Sequence, residues 1–403
     1  MLYGSFQSAV IEKPAVDLQA LRRYRLACLR EQMARAGVAL CVLVNPVSLR
    51  YALDLREYSL FQSRIPTIYA FVPVIGPVVL HGATGRGYEQ VDDYRRPRRL
   101  CTFDGGLALA DNARGFAADV CDFLAEIGLD RDARTVSLEM LNPSATLALA
   151  ERNVAVVDAE SLVERARSIK SPEELICTRH AIAVAEHAMR RLHDALMPGA
   201  LETEIWSILH QVNIAHDGDW CDGRMLASGP RTNPWLQEAS DRVIAAGDLV
   251  AFDTDMVGPF GYCADISRTW LCGENKPSAV QRDLYERAYE EVSHNLSLLR
   301  PGIGFRELSE RALVQAPEFS TRRYPCLAHG IGLSNEYPKI YYPQDWNWDG
   351  YDGIIEPGMT LCIESYVGSD RGGEGVKLEQ MVLVTQTGTE VLSSFPIEDA
   401  LRP

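Results

Sequence analysis

Leu249-Val-Ala-Phe-Asp-Thr-Asp-Met-Val-Gly-Pro-Phe-Gly-Tyr-Cys-Ala-Asp-Ile-Ser-Arg-Thr-Trp270 carries three carboxylates, Asp253, Asp255 and Asp265, inside what otherwise reads as two apolar strands. Leu249 to Phe252 is apolar enough for a buried strand, and Gly258-Pro259-Phe260-Gly261 is a turn signal that folds the next run back beside it. Residues two apart on a strand share a face, so Asp253 and Asp255 are expected to point the same way, with Asp265 brought opposite them. Burying three carboxylates without partners would cost more than a domain of ordinary stability can offset. A positive partner is therefore required, and oxygen ligands clustered on a rigid sheet suit a hard divalent cation.

The same pattern recurs downstream. Thr360 to Val367 is a strand-like run with Glu364 at its centre, and Val376 to Val384 is another that carries Glu379 among aliphatic neighbours. Gly372, Gly373 and Gly375 join the two, and His329 stands just before Gly330 and Gly332, where backbone can approach a ligand closely. An acid in a turn is ordinarily a solvated cap, and a lone Glu in a strand ordinarily faces water. Five carboxylates and one imidazole in apolar strands instead fit a two-metal site, because two divalent ions nearly neutralise five negative charges.

Composition narrows the function classes. At 403 residues the chain is long for one core, so two domains are expected, 1–165 and 166–403. A formal charge of −15 argues against nucleic acid and against an anionic membrane surface as partners. The most apolar run, Ile68 to Leu80, is interrupted by Pro73, Gly76 and Pro77 and is too short to span a bilayer. The first residues lack a basic segment followed by an apolar core, and the ten scattered cysteines suit reduced thiols, so a cytoplasmic location is expected. Cys263 and Cys362, close to the proposed ligands, read as small core residues.

Strands and helices alternate over the first 160 or so residues, as in an α/β domain. The expected helices include Asp17 to Arg35 and Gly115 to Ile127, and Tyr94 to Arg99 is expected to be a surface loop. Ser171, Pro172 and Glu174 make a capping box that opens a long helix at the junction. His180, His187 and His193 on that helix have no acidic ligand beside them and are expected to be structural or exposed.

The order Asp, Asp, His, Glu, Glu, with the contexts Gly-Tyr-x-x-Asp-Ile-Ser-Arg-Thr around Asp265 and His-Gly-Ile-Gly around His329, resembles the pita-bread metalloenzyme superfamily. That superfamily includes prolidase, aminopeptidase P and creatinase. The resemblance implies an α/β (α+β) chain, with a creatinase-like N-terminal domain followed by a pita-bread domain built on a curved antiparallel sheet. Two positions depart from the peptidases of that superfamily: Trp235 and the Ser334-Asn335-Glu336 segment stand where they carry histidines that handle the peptide. Met225-Leu-Ala-Ser-Gly-Pro-Arg-Thr-Asn-Pro-Trp235 and the extra aspartate of Phe252-Asp-Thr-Asp255 are instead similar to the branch of metal-dependent dimethylsulfoniopropionate (DMSP) lyases.

That resemblance implies a homodimer with two divalent metal ions, iron first and manganese or zinc as alternatives, held by Asp253, Asp255, Asp265, His329, Glu364 and Glu379. The substrate would be a small onium carboxylate, with Trp220, Trp235, Tyr337 and Arg231 as candidate contacts. The lyases of this branch are expected to place a catalytic aspartate where Asn335 stands, and an amide cannot serve as that base. Tyr324 or Glu336 is then the candidate base, and a hydrolase of a small C–N bond is the alternative.

Overall fold

The computed structural model describes residues 11–101, 104–129 and 134–402, and the chain forms two compact units. Asp17–Arg167 is one. Its six-stranded mixed sheet runs in the order Asp93–Arg95, Val79–His81, Tyr69–Pro73, Leu40–Leu43, Thr135–Leu138, Ala155–Asp158. Leu40–Leu43 is buried throughout and pairs antiparallel with Tyr69–Pro73 and parallel with Thr135–Leu138. The first helix, Leu18–Ala36, begins where the Asp17 carboxylate accepts from the Ala20 N–H and ends at Gly37 in the left-handed region, φ 65°.

Two expectations in this unit are corrected. The helix foreseen from Gly115 begins at Leu109, because its first turns carry Asp111, Asn112 and Arg114, which hide the apolar period. Asp93–Arg95 is a short edge strand, so the loop foreseen over Tyr94 to Arg99 starts after it.

Ser168–Pro403, with residues 11–16, forms the second unit. Ser171 and Glu174 make the capping box reciprocally at the start of helix Pro172–Ala195. Three antiparallel sheets follow. A small one orders Cys263–Ala264, Met256–Val257 and Trp220–Cys221. Of the two that a side-chain seam joins, one orders Ser267–Leu271, Leu249–Asp253 and Leu226–Ser228, and the other orders Asn335–Ile340, Ala328–Ile331, Thr360–Gly368, Gly375–Val384 and Thr389–Val391. Helix Ala279–Leu298 contributes Leu284, Tyr285, Ala288 and Val292 to the core beneath Leu361, Ile363 and Val367.

These two sheets are stitched together by side chains reaching backbone. Thr269 Oγ1 donates to the Lys377 carbonyl and accepts from the Lys377 N–H, at 3.0 Å each. The buried Arg268 guanidinium donates to the Glu379 carbonyl at 2.7 Å and to that of Phe395. This seam fixes the Asp265 end of one sheet against the Glu379 strand of the other. Among the described residues no helix is long and apolar enough to cross a membrane, and all ten cysteines are free thiols.

Candidate metal centre

The strand Leu249–Asp253 delivers Asp253 at its end, 4% exposed. The hairpin then breaks: Asp253 pairs with Ser267, Met256 pairs with Ala264, and Thr254 and Asp255 lie between the two paired stretches. Asp255 has φ 37°, a left-handed conformation. Regular strand alternation is therefore interrupted at Asp255, and the kink sets its orientation, within reach of the charges of Asp253, Glu379 and Lys377. Asp265 occupies the matching gap on the return strand, with its N–H against Met381 Sδ at 3.2 Å.

Glu364 and Glu379 are directly opposite one another across the ladder between Thr360–Gly368 and Gly375–Val384. Like charges in that position destabilise a sheet unless a cation intervenes. On the next strand His329 pairs with Cys362, two residues from Glu364 and on the same face. The result is a convergence. His329 Nε2 lies 3.4 Å from Glu364, 3.7 Å from Asp265 and 3.7 Å from Glu379. Asp265, His329, Cys362 and Glu379 each bring a ligand atom within 4.8 Å of the others.

Sequence reading missed Lys377. Its ammonium is fully buried and sits 2.9 Å from Glu364, 3.0 Å from Glu379 and 3.3 Å from Asp253, with Ser267 Oγ at 2.8 Å. The signal was present: Lys377 is two residues before Glu379 on the same strand, so period two puts both on one face.

The electrostatics describe a site short of positive charge. Burial, then neighbouring carboxylates, drive Asp255 and Asp265 well above the usual carboxylate range. Burial also raises Glu364, to about 7, against the pull of Lys377. Burial alone would lower His329, but the carboxylates of Glu379 and Glu364, 3.7 and 3.4 Å from its Nε2, outweigh that and raise it to about 9. Lys377 is likewise held protonated by Asp253, Glu364 and Glu379 against its desolvation. Among the described residues two carboxylate oxygens, Asp265 Oδ1 and Glu379 Oε1, are buried with no hydrogen-bond donor. A donor set of five carboxylates and one imidazole with orphaned oxygens fits divalent cations. Counting Lys377, two such ions bring the cluster to neutrality.

The other candidates are placed as follows. Tyr324 is at the site, with its ring centroid 4.7 Å from Lys377 Nζ. Burial, then Glu364, raises its phenol strongly, with Lys377 opposing. Trp235 is buried and stacks on Tyr366 at 6.1 Å. Asn335 is exposed at the head of its strand, and its neighbour Glu336 is engaged by Lys170 at 2.5 Å in a buried ion pair. Arg231 is bound to buried Glu202 and to the Glu238 carbonyl, which uses its guanidinium in local structure. Tyr337 packs on Phe305 and Tyr351 in the core. Trp220 is half-buried and donates to Asp222 at 2.7 Å. Cys362 is a buried thiol whose ionisation burial opposes.

A family profile described as metallopeptidase family M24 matches residues 176–386. Among curated proteins the chain is 33% identical over 411 aligned residues to the dimethylsulfoniopropionate lyase DddP of Roseovarius nubinhibens, covering 100% of this chain and 91% of that one. The same figures hold for the enzyme of that name from Roseobacter denitrificans. It is 30% identical over 257 residues to the Xaa-Pro dipeptidase of Lactobacillus helveticus, covering 60% of this chain and 66% of that one. Among solved structures, the Xaa-Pro dipeptidase from Bacillus anthracis superposes with TM-score 0.75 at 22% identity, covering 94% of this chain and 99% of that one. The prolidase from Pyrococcus horikoshii gives 0.71 at 19%, covering 93% and 99%. The pita-bread architecture expected from the motifs is the one these neighbours share.

Proposed function

The chain belongs to metallopeptidase family M24, and from that premise we propose that it is a metal-dependent lyase that cleaves a small onium carboxylate of the DMSP type by β-elimination. The single observation that carries this reading is the full-length likeness to two DMSP lyases combined with a cluster of five acids, four of them buried, around Lys377 and His329. Asp253, Asp255, Asp265, His329, Glu364 and Glu379 would hold two divalent ions, with iron as first choice. When bound, the ions supply positive charge that offsets the negative charge developing on the substrate.

The remaining steps fall to the chain's own side chains. Tyr324 is the base candidate that lies beside the cluster, since Glu336 is engaged by Lys170 and Asn335 lacks basicity. It takes the proton from the carbon next to the carboxylate; the electron pair forms the double bond, the C–S bond breaks, and dimethyl sulfide leaves neutral beside acrylate. In the chain alone burial and Glu364 favour the neutral phenol and Lys377 opposes them; the positive charge of bound ions would add to that of Lys377 in favouring the phenolate that this step requires. Trp235 offers an aromatic face to the sulfonium. The working unit is proposed as a homodimer in the cytoplasm, acting on a small molecule.

A second reading, hydrolysis of a small C–N bond, is favoured by the dipeptidase neighbours and by Glu364 titrating near neutrality. Trp235 and Asn335 in place of histidines count against a true peptidase. Headspace detection decides between them. Metal-replete protein given DMSP is expected to release dimethyl sulfide and acrylate in equal amounts; release of neither, with turnover of an Xaa-Pro dipeptide, would overturn the lyase reading.

A further inference from the structure

A cavity of about 300 Å³ opens beside Tyr324, walled by Trp235, Tyr324 and Tyr366, with Arg322 and Arg323 on its rim. Its two arginines differ in kind. Arg323 is held by Asp345 and lies over the Tyr342 ring at 5.6 Å, so its charge is already met. Arg322 is half-buried, and among the described residues its guanidinium has neither a hydrogen-bond nor an ion-pair partner. Its charge reaches the phenol of Tyr366, which anchors its hydroxyl on the Thr232 carbonyl at 2.8 Å. In a protein of net charge −15, a guanidinium lining a cavity without an acid beside it is a position kept open for an outside anion. The aromatic wall has the complementary preference. Trp235 and Tyr366 stack as a pair, and Trp235 is 8% exposed with its Nε1 unpartnered. Such faces attract a cation with no hydrogen bonds to give, such as a quaternary or sulfonium centre.

We propose that Arg322 is the specificity-determining anchor for the substrate carboxylate, and that this cavity recognises a zwitterion by holding its anionic end on Arg322 and its onium end on the Trp235–Tyr366 wall. The assignment rests on the proposed substrate class and deepens it by naming the residue that reads the carboxylate. The anchor is a different residue from Arg231, the substrate contact expected from sequence, whose guanidinium is bound to Glu202 and the Glu238 carbonyl. Tyr324, between this cavity and Lys377, then faces the carbon chain that joins the two charged ends.

Equilibrium binding to metal-loaded full-length protein tests the anchor with three probes: DMSP, propionate (carboxylate only) and trimethylsulfonium (onium only). Arg322→Gln is expected to weaken DMSP and propionate by about ten- to a hundredfold, the range for losing a charge-assisted contact, while trimethylsulfonium binds as before. Arg322→Lys, which keeps the charge but loses the planar fork, is expected to fall between. Unchanged propionate affinity in Arg322→Gln would overturn the proposal, and so would an equal loss of trimethylsulfonium, which marks general damage to the cavity. The lyase reading fails separately: wild-type protein that binds propionate through Arg322 yet releases no dimethyl sulfide keeps the anchor and loses the reaction.

Discussion

Two regions of the molecule bury acids, and they do so in opposite ways. In the first unit Glu139 is 7% exposed and fully provided for: it accepts from the Val44 N–H at 2.8 Å, the Asn45 N–H at 2.9 Å and Ser48 Oγ at 2.5 Å. Those donors come from the end of strand Leu40–Leu43 and the helix that opens at Pro46, so the carboxylate ties two elements together. In the second unit Asp253, Asp265, Glu364 and Glu379 are more deeply placed, with Asp255 half-buried beside them, and the five are poorly supplied. Lys377 and Ser267 serve three of them, while among the described residues Asp265 Oδ1 and Glu379 Oε1 receive no hydrogen bond. A buried acid ringed by fixed donors is a structural rivet. A cluster left short of donors is a place for mobile positive charge, and the deficit distinguishes the two more sharply than burial does.

The contrast can be broken at its strongest point by removing a cluster acid. Glu379→Gln is expected to lower elemental metal content below the wild-type level and to cut activity by more than about a hundredfold, beyond the range seen for residues that merely support ligands. Wild-type metal content in that variant would end the distinction. Next comes Lys377→Met, which leaves three buried carboxylates without their ammonium. Chelator-treated protein is expected to lose about 3–5 kcal/mol in denaturant unfolding, and a substantial part of that loss should be restored by added metal.

The first unit provides the metal-independent control. Burial, then Arg95, hold His81 down to about 4, so its neutral form is the folded one. The unfolded chain protonates near 6.5, so this contribution is complete above that pH and is lost as pH falls toward 4, by up to about 3 kcal/mol. Fluorescence-monitored unfolding between pH 7 and 4 measures it, and metal should leave the slope unaltered. Smallest is Glu139→Gln, which sets an amide donor against existing donors. It is expected to cost about 1–3 kcal/mol and to leave metal content alone; a fall in metal would show that Glu139 is not the rivet described here.

Much of this was legible in the chain. The apolar runs around Glu364 and Glu379 announced buried strands, and the capping box at Ser171 marked the start of the long helix to the residue. Local propensity and charge in an apolar context are properties of adjacent residues, which is why they survive without coordinates. The backbone break at Asp255 was not legible, because a rule for regular backbone cannot foresee a single left-handed residue. The local engagement of Arg231 was hidden for a different reason. Its partner Glu202 is 29 residues away in sequence, and nothing near either one declares the pairing.

The sequence by itself determined that acids would be buried in strands and that a cation must meet them, because the cost of burying charge does not depend on where the chain runs. Only the tertiary structure decided which acids share one centre, that Lys377 stands among them, that Arg322 lines a cavity and that Arg231 is bound to Glu202. Those outcomes depend on distances between residues far apart in the chain, and Coulomb interactions are set by distance in space.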